Sequence, residues 1–106
     1  MRHQSVDRQR AITAAVSERL NSLSAKQFED LAALPKKSSE DLVIAGKKIT
    51  LSVWHDALPS GEHLIAVQAY KPESLLHMGW MCVDGFVINA QSQRRLLTQE
   101  ERAPFS

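Results

Sequence analysis

Cysteine, glycine and aromatic residues are all scarce in this chain of 106 residues. Cys82 is the only cysteine. It has no partner for an intramolecular disulfide and builds no thiolate framework for a metal, so the expected compartment is the reducing cytoplasm. The four glycines are ungrouped, which excludes a glycine-rich phosphate loop, and neither a Walker motif nor a Gly-x-Ser-x-Gly elbow occurs. An excess of one charge is missing too. Thirteen Lys and Arg stand against 12 Asp and Glu, a net charge of +1. That balance removes the strong positive field that favours nucleic acid and leaves little repulsion between copies of the chain. No apolar run approaches the ~18 residues of a membrane span. Met1 to Arg10 carries Arg2, Arg8 and Arg10 with no apolar stretch behind them, unlike a secretory signal.

What is present is average globular usage, 43% hydrophobic and 24% charged, in a length suited to one core. The expectation is a single α+β domain spanning 1–106. It comprises a disordered start over 1–6, a helical region over 7–34, an antiparallel sheet over 40–90 and a tail over 91–106.

The period of the apolar residues carries that division. Ile12, Val16, Leu20 and Leu23 recur at helical spacing among alanines, with no Gly or Pro between them. Ser24 and Gln27 fit a capping box, so a second helix is predicted from Ala25 to Leu34, with Phe28, Leu31 and Leu34 inward. Pro35 ends it. Whether residues 7–34 form one helix or two is left open by the pattern.

Lys36–Glu40 reads as a linker, after which the period becomes two. Leu42–Ala45 is a short strand, Gly46-Lys47 a turn, and Ile49, Leu51 and Val53 alternate with polar residues in the next strand. A three-residue loop at Pro59, Ser60 and Gly61 pairs Leu58 with Glu62, Val53 with Val67 and Leu51 with Ala69. It also puts Gly61 where a left-handed residue is wanted. Leu64–Tyr70 makes a third strand. Met78–Ile88 makes a fourth, with a bulge or bend expected at Asp84-Gly85. Helices packed on this four-stranded meander would face Leu51, Val53, Ile65 and Val67. In the tail, Thr98 and Glu101 can cap one helical turn that Pro104 stops.

Three kinds of site compete. The first is an interaction surface. With helices on one sheet face, Trp54, Leu64 and Tyr70 fall on the other, and Trp80 and Phe86 add bulk in the last strand. Apolar, aromatic area of this kind marks partner surfaces, and the expected partner is another protein or a second copy of the chain, through that face or the edge of the fourth strand. The alternative is that the helices or the C-terminal tail cover the face and these residues are core. The second is nucleic acid, bound by the pairs Lys36-Lys37, Lys47-Lys48 and Arg94-Arg95 with an aromatic stacking surface. The third is a small enzyme or metal protein. His55 and His63 share one face but lie diagonally, and Asp56, Glu62, His77 and Cys82 supply further donors, although no standard ligand spacing occurs. Cys82 sits in Trp80-Met-Cys-Val, a context that raises a thiol pKa. No residue is assigned a catalytic role, and no cofactor or metal is expected.

Overall fold

The computed structural model describes residues 2–44, 46–70 and 82–105, and over 2–8 the backbone alone. The stripe of Ile12, Val16, Leu20 and Leu23 forms one long helix, α1 (Arg2–Ser24), about 34 Å at the usual rise per residue. Ile12, Val16 and Leu23 are buried and Leu20 packs beside them. The helix begins at Arg2, within the stretch 1–6 expected to be disordered. It also runs through the point where Ser24 would cap a new helix. Ser24 closes α1 instead, and the chain turns as Ala25 N–H donates to Asn21 O at 3.1 Å and Lys26 N–H to Leu23 O at 3.0 Å.

The second helix, α2, is a single turn, Phe28–Ala32, shorter than the span from 25 to 34. Its N-cap residue, Gln27, makes no side-chain capping bond. A helix this short has little intrinsic stability, so packing holds it. Leu31 is fully buried, and Phe28 and Leu34 press against the same cluster.

The sheet is an antiparallel meander in the order β1 (Lys37–Ile44), β2 (Lys47–Ala57), β3 (His63–Tyr70), β4 (Cys82–Ile88), β5 (Arg94–Leu96). It differs from the expected sheet in four places. β1 takes in most of the predicted linker. Its polar residues pair with β2, Ser39 lying opposite Ser52 and Asp41 opposite Thr50, so an alternating apolar pattern was absent where the strand began. The first turn closes with Ile44 opposite Lys47, one residue earlier than Gly46-Lys47. β4 pairs with β3 without interruption from Cys82 to Ile88, so Asp84-Gly85 is no bulge. Finally, the polar tail contributes a fifth strand, paired through Phe86 with Leu96 and Ile88 with Arg94. Met78–Met81, the predicted start of the fourth strand, lie outside the described residues.

The central register is the predicted one, with Val53 opposite Val67 and Leu51 opposite Ala69. Leu58 N–H donates to Glu62 O at 2.8 Å, and Gly61 takes φ +88°, a left-handed backbone that suits glycine. Leu51, Val53, Ile65 and Val67 accordingly join α1 and α2 in the main core.

A smaller cluster occupies the opposite sheet face, where Leu64, Ala66, Val87 and Leu97 pack with Trp54, Leu58 and Phe105. The tail reaches it through α3 (Gln99–Arg102) and a 3-10 turn (Ala103–Phe105). Thr98 and Glu101 form the predicted capping box. No helix among the described residues is long and apolar enough to cross a membrane.

Candidate functional site

His55 and His63 come together. Their positions are diagonal, since His55 lies opposite Ile65 and His63 opposite Ala57, yet His55 Nε2 and His63 Nδ1 are 2.7 Å apart. The rings stack at 5.0 Å between centroids. What closes the diagonal is the turn after α2. His55 Nδ1 lies 2.8 Å from the Leu34 carbonyl oxygen, and Phe28 meets the His63 ring edge-on at 5.3 Å. The register predicted the shared face; the Leu34 acceptor comes from a distant turn and had no signal in the sequence.

These contacts dictate the proton positions. A carbonyl oxygen only accepts, so His55 Nδ1 carries a hydrogen and donates to Leu34. In the neutral pair His55 Nε2 then accepts from His63 Nδ1–H. One added proton still leaves a single hydrogen between the two facing nitrogens. A second added proton would set N–H against N–H. Burial pushes the His63 pKa below its ordinary 6.5, and the charge of His55 pushes it the same way. The unfolded chain therefore binds protons that the folded chain resists. Stability is expected to be intact above about pH 6.5, the unfolded value, and to fall as the pH drops through the lower folded value of His63. Urea unfolding between pH 8 and 5 reads this slope, and His63→Gln should flatten it. An equal slope in the variant would assign the dependence to other groups.

Among the described residues no group of three or more His, Cys, Asp and Glu is placed to hold a metal, and the facing nitrogens of the pair are occupied with each other. His77 lies outside the described residues.

The residues expected to form an aromatic surface divide. Leu64 is 3% exposed, under the C-terminal segment, and Phe86 is 6% exposed, in the main core on the helix side. Neither is free for a partner. Leu64 is covered because Ala66 and Gly85 lie opposite each other and leave a dip on the second face, which Leu97 fills. Phe86 is covered because its place opposite Ile65 turns it toward the helices. Trp54 remains half-buried, 5.7 Å from Phe105 with Lys37 Nζ 4.5 Å over its ring. Its indole N–H donates to Gln68 Oε1 at 3.1 Å, and the Gln68 amide donates in turn to the Phe105 carbonyl. Tyr70 is half-buried at the end of β3, and Trp80 lies outside the described residues.

The basic pairs do not gather into one patch. Lys36-Lys37 and Lys47-Lys48 flank opposite ends of β1, about 23 Å apart at strand rise, and β5 lies about 19 Å across the sheet from β1. Several of these charges also have local partners. Lys48 Nζ is 3.4 Å from Asp41, and the Arg94 guanidinium lies 5.7 Å over Phe86 while donating to Lys26 O at 3.0 Å. Arg95 makes two bonds to Glu101, at 2.7 and 2.8 Å, and approaches Glu62 at 3.5 Å. The guanidinium, helped by the Thr98 backbone amide, holds the Glu101 carboxyl down at about 2.

Cys82 is half-buried against the main core. Burial raises its thiol pKa, opposed by a hydrogen bond to the Thr13 side chain, while nearby Asp84 raises it further. That environment suits an inert thiol rather than a nucleophile.

The sheet ends at β1 on one side and at the three-residue β5 on the other. His55 N–H donates to Lys36 O at 2.9 Å, which sets the phase of the β1–β2 ladder. Ser38, Glu40, Leu42 and Ile44 turn their amides toward β2. Lys37, Ser39, Asp41 and Val43 turn theirs away. Among the described residues no strand covers that outer row. Val43 is 77% exposed. The strand's other attachments are side chains: Ser39 Oγ meets Ser52 Oγ at 2.8 Å, Thr50 donates to Asp41 at 2.9 Å, and Arg19 of α1 pairs with Glu40. The fourth strand, expected to be an edge, is covered by β5, and the β1 edge escaped notice because its first half is polar.

The fold and edge define an α+β protein of helix-plus-meander build. Compared with protein-family models, curated proteins and solved structures, the chain matches none.

Proposed function

We propose that this chain is a protein-interaction module that binds its partner by strand addition along β1. The observation that carries this reading is the outer row of backbone groups at Lys37, Ser39, Asp41 and Val43. It lies on an eight-residue strand at the end of the sheet. Such a row is a template for another extended chain. Main-chain hydrogen bonds supply affinity, and alternate side chains supply selectivity. Binding through the broad second face is less favoured, because the chain's own C-terminal segment already packs on its apolar part.

Selection from a displayed peptide library tests the proposal. The protein should enrich extended peptides that bind it and fail to bind Ser39→Pro. That substitution removes one outward N–H and leaves the Ser38 and Glu40 bonds to β2 in place, and proline is tolerated on an edge strand. Circular dichroism shows whether the variant keeps its sheet, and Val43→Pro repeats the test at a second outward position. No enrichment, or peptide binding that survives both folded variants, sinks the proposal.

A further inference from the structure

We infer that the occupant of the β1 edge is a second copy of this chain, paired antiparallel about a two-fold axis at Ser39. The inference rests on the strand-addition reading and adds the partner and the register.

In a two-fold antiparallel pair, residues with outward amides must lie opposite one another. On β1 this leaves a short series of registers, and charge separates them. With the axis at Ser39, Lys37 of one copy lies opposite Asp41 of the other, and the symmetry makes this pair twice. Ser39 then faces Ser39, and Ser38 faces Glu40. Moving the axis to Glu40 sets two identical glutamates opposite each other, and moving it to Asp41 does the same with two aspartates. Like charges directly opposite oppose pairing. An axis at Leu42 pairs both acids with apolar residues and matches no charge. Moving it the other way, to Ser38, places Pro35, which has no N–H, opposite Asp41. Only the Ser39 axis combines three pairs of outward amides with opposite charges face to face on the second sheet face.

The side chains already in place suit this register. Lys37 lies over Trp54, and Asp41 is held by Thr50 and Lys48, so both charges are positioned on the same sheet face before a second copy arrives. Glu40, on the other face, is bound by Arg19, which neutralises the acid nearest the axis. The product is one continuous ten-stranded sheet, twice the five of a single chain, and the net charge of +1 per copy opposes it little.

Sedimentation equilibrium across a concentration series, with the Lys37→Asp, Asp41→Lys and doubly exchanged proteins, tests the inference. The unaltered protein should show a monomer–dimer equilibrium. Each single reversal turns both ion pairs into repulsions and should weaken the dimer about tenfold or more, and the double exchange should recover most of the loss. Amide exchange gives a second readout that does not depend on the variants. Ser39 and Asp41 amides should gain protection with concentration, while Ser38 and Glu40, bonded to β2, should not change. A protein that stays monomeric up to millimolar concentration while still binding selected peptides overturns the second-copy inference and leaves strand addition standing. A dimer that both single reversals leave intact, with no added protection at Ser39, overturns the register and the edge together.

Discussion

Gly85→Ala is expected to destabilise the protein by about 3 kcal/mol, at the upper end of overpacking costs. A Cβ at this position would stand 2.2 Å from the Ile65 carbonyl oxygen, 2.9 Å from Leu97 Cδ1 and 3.0 Å from Ala66 Cα. Two of the three obstacles are backbone of the adjacent strand, which cannot rotate aside, so β3 and β4 must separate or Leu97 must leave its place. Urea unfolding should show a lower midpoint with an unchanged slope. Leu97→Ala in the same chain should not restore it, because the carbonyl remains in the way. An unaltered midpoint in Gly85→Ala would mean that the two strands do not approach this closely. The residue serves neither as a bulge nor as a turn. Its lack of a side chain lets the C-terminal segment lie against the sheet.

Leu31→Ala is the second large effect, about 2–5 kcal/mol for a fully buried leucine, a substantial fraction of the 5–15 kcal/mol of a typical domain. Leu31 is the buried anchor of α2, and α2 has no side-chain cap to hold it otherwise. The consequence extends to the histidines. Leu34, three residues on, accepts from His55, and Phe28 packs on His63. Loss of the anchor should therefore reduce the acid sensitivity set by His63 as well as the overall stability. Thermal or chemical unfolding of Leu31→Ala at pH 8 and pH 5 measures both quantities. A variant with normal stability would show that α2 is not a cooperative part of the core, and one with full acid sensitivity would show that the histidines hold together without it.

The two substitutions act on opposite faces of one sheet, and both faces are closed by segments distant in sequence. α2 closes the helix side at the histidine end. Leu97, α3 and Phe105 close much of the other side. Among the described residues, no strand pairs along the outer side of β1.

The helix and the central hairpin were legible in the amino-acid order because their signals are local and periodic. Ile12, Val16, Leu20 and Leu23 repeat at one helical face. Ile49, Leu51 and Val53 alternate. A three-residue loop ending in glycine sets the register that brings Val53 to Val67 and His55 close to His63. The capped turn at Thr98–Glu101 was equally readable, since its bonds join residues three apart. Tertiary structure alone decided the rest. β5 has three residues, two of them arginine, too few to show a period, and it exists because Asn89 and Gln93 close a loop that returns the chain to β4. β1 begins in polar sequence because hydrogen bonds to β2 and a serine–serine contact replace apolar burial there. Leu34 reaches His55 only across the fold. Whether the second face is covered depends on where the tail lands, a long-range packing outcome with no local signature, so Leu64 was available for an interface in sequence and is core in the folded chain. Phe86 is core because its place opposite Ile65 turns it toward the helices.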